Sequence, residues 1–258
     1  MMQLGIGSYT FTWAVGVAGF MPDRPLSIDQ LLDNAHRLGV KRVQFCDNLP
    51  LLHTDFKTDR VIEVGTRGLT VTNLLNYLEV CKRFHSPFLR VVIDEADYHP
   101  SEQEVIAVIQ SVIEDFKQAN VILAIENHDR FTVASLVRII QQTDPQWVGI
   151  CLDTANSLGA GEGIEEVVKG LAPYTVNLHV KDFTIQRAWH NMGFVVEGCP
   201  AGKGMLNVPW VLEQLRPYQR CLSATLEIWS NPETTIEATV EKEAAWAKES
   251  ISYLKPLF

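Results

Sequence analysis

The sequence predicts an α/β protein: a single (β/α)8 TIM barrel over residues 1–258, with its second helix short or missing. Three observations carry this expectation. Short apolar segments alternate with amphipathic helical segments along the whole chain, as parallel sheets with crossover helices require. Eight such strand segments can be counted, and 258 residues is a natural size for one barrel. Four of the later strands also carry one strong metal ligand each near their C-terminal ends.

Leu4–Thr10 reads as the first strand, followed by a long loop holding Trp13 and Phe20. Gly5 and Gly7 make no dinucleotide fingerprint, because no third glycine opens a helix. Ser27 and Gln30 form a capping box ahead of Ile28, Leu31, Leu32, Ala35 and Leu38 at helical spacing, and Gly39 ends that helix. Arg42–Asp47 is the second strand and Val61–Gly65 the third. The 13 residues between them leave little room for a crossover helix. Thr70–Phe84 is helical, Phe88–Asp94 is the fourth strand, and Ser101 with Glu104 opens a helix to about Ala119.

The next three strands end at Glu126, Asp153 and His179–Asp182, with helices near Val133–Gln142 and Ile164–Leu171. A long irregular segment, Phe183–Leu206, is expected to fold over the barrel mouth as part of the substrate wall. Gly202-Lys-Gly204 within it either binds an anion or makes a tight turn. A helix over Val208–Leu215, a strand ending in Glu227 and a helix over Thr234–Leu254 complete the chain.

Glu126, Asp153, His179 and Glu227 follow one another at intervals of 27, 26 and 48 residues. A βα unit takes roughly 30 residues, so a parallel barrel delivers all four side chains to one rim. Any one of these acids alone could be a helix cap or an ion-pair partner, and His179 alone a satisfied core histidine. Together they repel unless a cation neutralises them. Three carboxylates and one imidazole suit Mn²⁺, Mg²⁺ or Co²⁺ better than a structural Zn²⁺.

The formal net charge of −9 speaks against a nucleic-acid or anionic-membrane partner. No apolar run is long enough to span a bilayer and no signal-peptide pattern is present, so a cytoplasmic location is expected. The five cysteines are odd in number and show no CxxC spacing, which fits buried reduced thiols.

Ile125-Glu-Asn-His128, Leu152-Asp-Thr-Ala-Asn156, Leu178-His-Val-Lys-Asp182, Gly202-Lys-Gly204 and Leu226-Glu-Ile228 resemble the xylose-isomerase-like barrel superfamily of sugar isomerases and epimerases. In its ketose 3-epimerase branch, positions matching Glu126, Asp153, His179 and Glu227 hold a divalent metal. The positions matching the two glutamates also form the acid–base pair. The resemblance therefore implies one divalent ion, Mn²⁺ first, with Mg²⁺, Co²⁺ and Zn²⁺ also compatible. It implies an isomerase or epimerase of a small sugar acting through a metal-stabilised enediolate. Two positions depart from that branch: Thr132 stands in place of a substrate-binding acid, and Asn156 in place of a histidine. The stretch Met192–Gly204 looks more like relatives acting on oxidised or branched sugars, some of them decarboxylases of 3-oxo sugar acids, so such a decarboxylase is the alternative.

Strand alternation extends the candidate site. If Glu126 points into the mouth, so does His128; His179 brings Asn177 and Lys181; Glu227 brings Trp229. Catalytic candidates are then Glu126, Glu227 and Lys181, the lysine supporting an enediolate oxygen or a substrate carboxylate. Substrate-binding candidates are His128, Asn156, Trp229, Trp13 and Arg67. The expected partner is a small sugar, with no nucleic acid or membrane and with room for a homo-oligomer. An endonuclease IV-type repair enzyme shares the barrel but needs many more histidines than the seven here. A non-catalytic sugar-binding protein is the remaining alternative.

Overall fold

The computed structural model describes residues 2–258. Eight parallel strands close a barrel: β1 (Gln3–Gly7), β2 (Arg42–Phe45), β3 (Val61–Arg67), β4 (Phe88–Val92), β5 (Ile122–Glu126), β6 (Val148–Asp153), β7 (Thr175–Val180) and β10 (Ser223–Leu226). Closure comes from β10 pairing with both β7 and β1, with Thr225 opposite His179 on one side and Gly5 on the other. The β-strand segments are buried on both faces because helices cover their outer side.

Eight helices accompany them: α1 (Thr12–Val15), α2 (Ile28–Leu38), α3 (Val71–Phe84), α4 (Glu102–Ala119), α5 (Val133–Gln141), α6 (Ile164–Leu171), α7 (Val208–Leu215) and α8 (Ile236–Leu254). The capping boxes at Ser27 and Ser101 form as the sequence predicts, and Gly39 ends α2 at φ 63°. Thr132 serves as N-cap of α5, accepting a hydrogen bond from the Ser135 N–H. A cap there explains why this position is a hydroxyl residue. The crossover from β2 to β3 has no α-helix, only a 3-10 turn at Leu51–His53. Phe56 fills the gap, stacking on Phe84 at 4.5 Å and meeting Phe45 edge-on at 5.2 Å.

Two sequence expectations need correction. Trp13 lies in the short helix α1, ahead of which Ser8–Phe11 forms a 3-10 turn, so the first strand ends at Gly7. Phe183–Leu206 is built on an antiparallel hairpin rather than being irregular throughout: β8 (Asp182–Arg187) pairs with β9 (Phe194–Cys199). Its base is held by Asp182, whose carboxylate accepts the N–H groups of Phe183, Gly202, Gly204 and Leu206. Gly202-Lys-Gly204 thus wraps an internal anion. At Gly198 the hairpin presses on the backbone beyond β10; a Cβ there would fall 1.6 Å from the Trp229 carbonyl oxygen. The hairpin consequently stands behind Trp229. Among the described residues no helix is long and apolar enough to cross a membrane.

Candidate metal and substrate site

The C-terminal ends of β5, β6, β7 and β10 gather the four expected ligands. Register does this: Asp153 pairs with His179 across β6–β7, and Glu227 follows directly on β10, whose Thr225 faces His179. All four side chains are buried. His179 Nδ1 stands 3.0 Å from Glu227 Oε1 and 3.3 Å from Glu126 Oε2. Lys181 Nζ lies 2.9 Å from Asp153 Oδ2, 3.0 Å from Glu227 Oε2 and 3.2 Å from Asn156 Oδ1. Asp153 Oδ1 accepts the N–H groups of Ala155 and Asn156, both at 2.8 Å.

Several partners escaped the sequence reading. Arg90 of β4 pairs with Glu126 Oε2 and reaches within 3.9 Å of Asp47. Gln44 of β2 accepts from His179 Nε2 at 2.8 Å and is itself oriented by donating to Asn177 at 3.1 Å. A lone arginine inside the apolar run Phe88–Ile93 was the one signal that could have exposed Arg90, since a buried guanidinium needs a carboxylate.

Burial alone would raise the carboxyl of Glu227, but His179, Lys181 and Arg90 together hold it well below the usual range. Burial likewise opposes ionisation of Glu126, and Arg90 and His179 outweigh it. Burial disfavours the charged forms of His179 and Lys181, yet Glu227 with Glu126 raises the former and Asp153 with Glu227 the latter.

The donor set fits a divalent cation. With Nε2 donating to Gln44, His179 directs the Nδ1 lone pair at two carboxylates. Nδ1 and Asp153 Oδ2 are both buried without a well-formed hydrogen bond, although charged groups lie within ion-pair distance. Ligand atoms of Asp153, His179 and Glu227 all fall within 4.8 Å of one another, and so do those of Glu126, Cys151 and His179. A cation shared by Glu126, Asp153, His179 and Glu227 would satisfy both orphaned atoms and relieve the carboxylate repulsion.

Above this cluster opens a cavity of about 450 Å³, lined by Tyr9, Thr12, Trp13, Asp129, Ala155, Asn156, Leu158, Gly159, Lys181, Glu227, Ile228, Trp229 and Ser230. A larger concavity, about 750 Å³, includes Ser86, Ile122 and Trp147 at the opposite end of the barrel. We assign the chemistry to the smaller one, because it alone of the two adjoins the charged cluster and occupies the C-terminal rim where barrel enzymes act. Trp13, Asn156, Lys181 and Trp229 are among the residues that line it. His128 and Arg67 are not. His128 lies beyond the end of β5 and pairs with Asp129 at 2.9 Å. Arg67 is the last residue of β3 and half-buried, outside the cavity lining. The hairpin contributes no lining residue either, because Gly198 seats it behind Trp229.

A closed eight-strand barrel with carboxylates, one histidine and one lysine at its C-terminal rim defines a class that comparison identifies. Residues 23–257 match the family described as xylose isomerase-like TIM barrel, and the chain belongs to it. It is 29% identical over 264 residues to the 3-oxo-isoapionate decarboxylase of Pectobacterium atrosepticum, covering 98% of this chain and 95% of that protein. A xylose isomerase-like TIM barrel protein from Mycobacterium smegmatis, solved in complex with magnesium, superposes with TM-score 0.70 at 13% identity over 98% of each chain. An L-ribulose 3-epimerase superposes with TM-score 0.69 at 16% identity, over 100% of this chain and 94% of that one.

Proposed function

We propose that this chain is a divalent-metal-dependent enzyme acting on a small oxidised sugar, and that decarboxylation of a 3-oxo sugar acid is the reaction its site fits best. The observation that carries the reading is the way the cavity floor is divided. Of the four ligands, Glu227 alone lines the cavity, beside Lys181. Glu126 has both oxygens engaged, Oε2 by Arg90 and Oε1 by Asn156 Nδ2 at 2.9 Å. Only one of these carboxylates therefore faces the cavity, whereas inversion of a C–H centre needs a proton carrier on each face of the substrate.

Charge points the same way. Glu126, Asp153 and Glu227 face Lys181 and Arg90, with Asp47 beside Arg90 and Asp129 at the cavity, so a divalent ion would offset most of the surplus of carboxylates. Lys181 at the cavity floor is then the cation an anionic substrate meets. The ion would polarise the carbonyl next to the bond that breaks. Lys181, kept cationic by Asp153 and Glu227, opposes the negative charge that develops as CO₂ departs and its bonding pair moves onto the 3-oxo oxygen. Glu227 is placed to relay the proton that replaces the carboxylate on carbon. Trp13 and Trp229 wall the cavity around the remaining carbons. The 29% relative over nearly the full chain supports this choice.

Isomerisation or epimerisation is the second reading, favoured by the placement of Glu126 and Glu227 on opposite sides of the Asp153–His179 pair. One assay separates them. The metal-loaded protein is given a 3-oxo sugar acid and a ketose in D₂O. We expect CO₂ from the acid, with deuterium only in the product. Deuterium washing into unreacted ketose without CO₂ release would replace the lyase with an epimerase.

A further inference from the structure

Helix α8 turns Thr239, Glu243, Ala247, Ile251 and Leu254 inward at helical spacing. Glu243 is the misfit in this stripe, fully buried between helix and barrel. None of the neighbours that shift its ionisation is a cation. Its carboxylate reaches across the fold to the first turn of α1 instead. Oε1 accepts the N–H of Trp13 at 2.9 Å and Oε2 the N–H of Ala14 at 3.0 Å. These are donors that a helix start leaves unpaired. The same turn carries Thr12 and Trp13 to the cavity, and the 3-10 turn just before it carries Tyr9. The indole of Trp13 is fixed separately, its Nε1–H donating to the Ser230 carbonyl at 2.9 Å. An apolar residue in the α8 stripe would pack equally well but leave both N–H groups buried and unpaired.

We infer that Glu243 is a positioning residue: it fixes the Trp13 side of the cavity and so sets how the non-reacting end of the substrate is held. Only the nature of that substrate rests on the function proposed above. Two backbone N–H groups anchored at separate oxygens define the place and orientation of α1. The Ser230 carbonyl then needs only to select the ring rotamer. Loss of the anchor removes no hydrogen bond or ion pair from the expected metal ligands, whose recorded partners lie outside α1 and Glu243. Binding should weaken while the chemical step proceeds, the mark of an interaction made equally in ground and transition states.

The test compares wild type, Glu243→Ala and Glu243→Gln as full-length, metal-loaded protein. In Glu243→Ala, amide exchange over residues 12–15 should accelerate about tenfold or more while β5, β6 and β7 keep their protection. CO₂ release should show KM raised about fivefold or more, with kcat within about twofold and bound metal unchanged. Glu243→Gln, which keeps one acceptor oxygen, should fall between Ala and wild type in both readouts. Unchanged exchange over residues 12–15, equal acceleration everywhere, or a kcat loss at constant KM would each overturn the inference. A wild-type protein inactive on 3-oxo sugar acids would remove the decarboxylase reading. Exchange over residues 12–15 would still decide the role of Glu243.

Discussion

Glu227 and Glu243 are both buried glutamates, and their surroundings drive them in opposite directions. At the rim, His179, Lys181 and Arg90 outweigh burial and keep Glu227 ionised. At the joint between α8 and α1, burial dominates and pushes Glu243 up to about 7, with the N–H groups of Trp13 and Ala14 only partly offsetting it. Burial therefore says little about a carboxylate until its neighbours are counted. The rim is crowded with charges of both signs and keeps two orphaned atoms, as a site completed by a ligand should. At the joint, each oxygen has one N–H donor and the group serves placement.

Removing Lys181 is the strongest way to break this contrast, because it takes from Glu227 and Asp153 the cation they share. Lys181→Ala should lower turnover by about 10² or more, the scale of losing one preorganised electrostatic group. It should also destabilise the metal-free protein by about 3–5 kcal/mol, the usual effect of unpairing buried charges. Saturation with Mn²⁺ should recover much of the stability but not the activity, since binding to the folded state adds about 4 kcal/mol at a thousandfold excess over Kd. Thermal melts with and without metal, beside CO₂ release, check both parts. A metal-free variant as stable as wild type would show that Lys181 does not hold the carboxylates together.

The two glutamates also predict opposite limbs of the pH–stability profile. Glu243 has a folded-state pKa of about 7 against an ordinary 4.5, so between those values the folded protein binds a proton that the unfolded chain has released. Its contribution is fully present below about pH 4.5 and lost as pH rises through about 7, a change of at most about 3 kcal/mol. Glu227 is depressed, so its contribution is present above the ordinary carboxylate range and lost as pH falls below it. Glu243→Gln should flatten the limb between pH 5 and 8 and leave the acid limb in place. Melts across that range that superpose for variant and wild type would contradict the assignment.

The sequence revealed one half of the rim better than the other. Glu126, Asp153, His179 and Glu227 were legible because four parallel strands repeat one rule, a carboxylate or imidazole at the end of an apolar run. Lys181 and Trp229 followed by alternation. The supporting half was harder to read. Arg90 and Gln44 lie inside apolar strands, and their meaning depends on which strand closes beside which. His128, two residues past the end of β5, turns to Asp129 instead, whereas Lys181 and Trp229, also past the ends of their strands, still reach the cavity. The hairpin of β8 and β9 was hidden because only the fold reveals that Asp182 gathers its base. Glu243 was visible as an acid in the core stripe of α8, but its donors lie 229 and 230 residues away in the chain.

The smallest predicted effect separates the two anchors of the cavity wall. Trp13 is held through its backbone by Glu243 and through its indole N–H by the Ser230 carbonyl. Trp13→Phe removes the second anchor alone, keeping an aromatic face and the N–H that Glu243 accepts. The cost should be one ordinary hydrogen bond, about 1 kcal/mol. If the backbone anchor governs placement, the wall stays where it is: KM should rise no more than about fivefold, and exchange over residues 12–15 should match wild type. A larger KM effect from Trp13→Phe than from Glu243→Ala would invert the ranking, giving the ring's bond to Ser230 the decisive part in shaping the cavity.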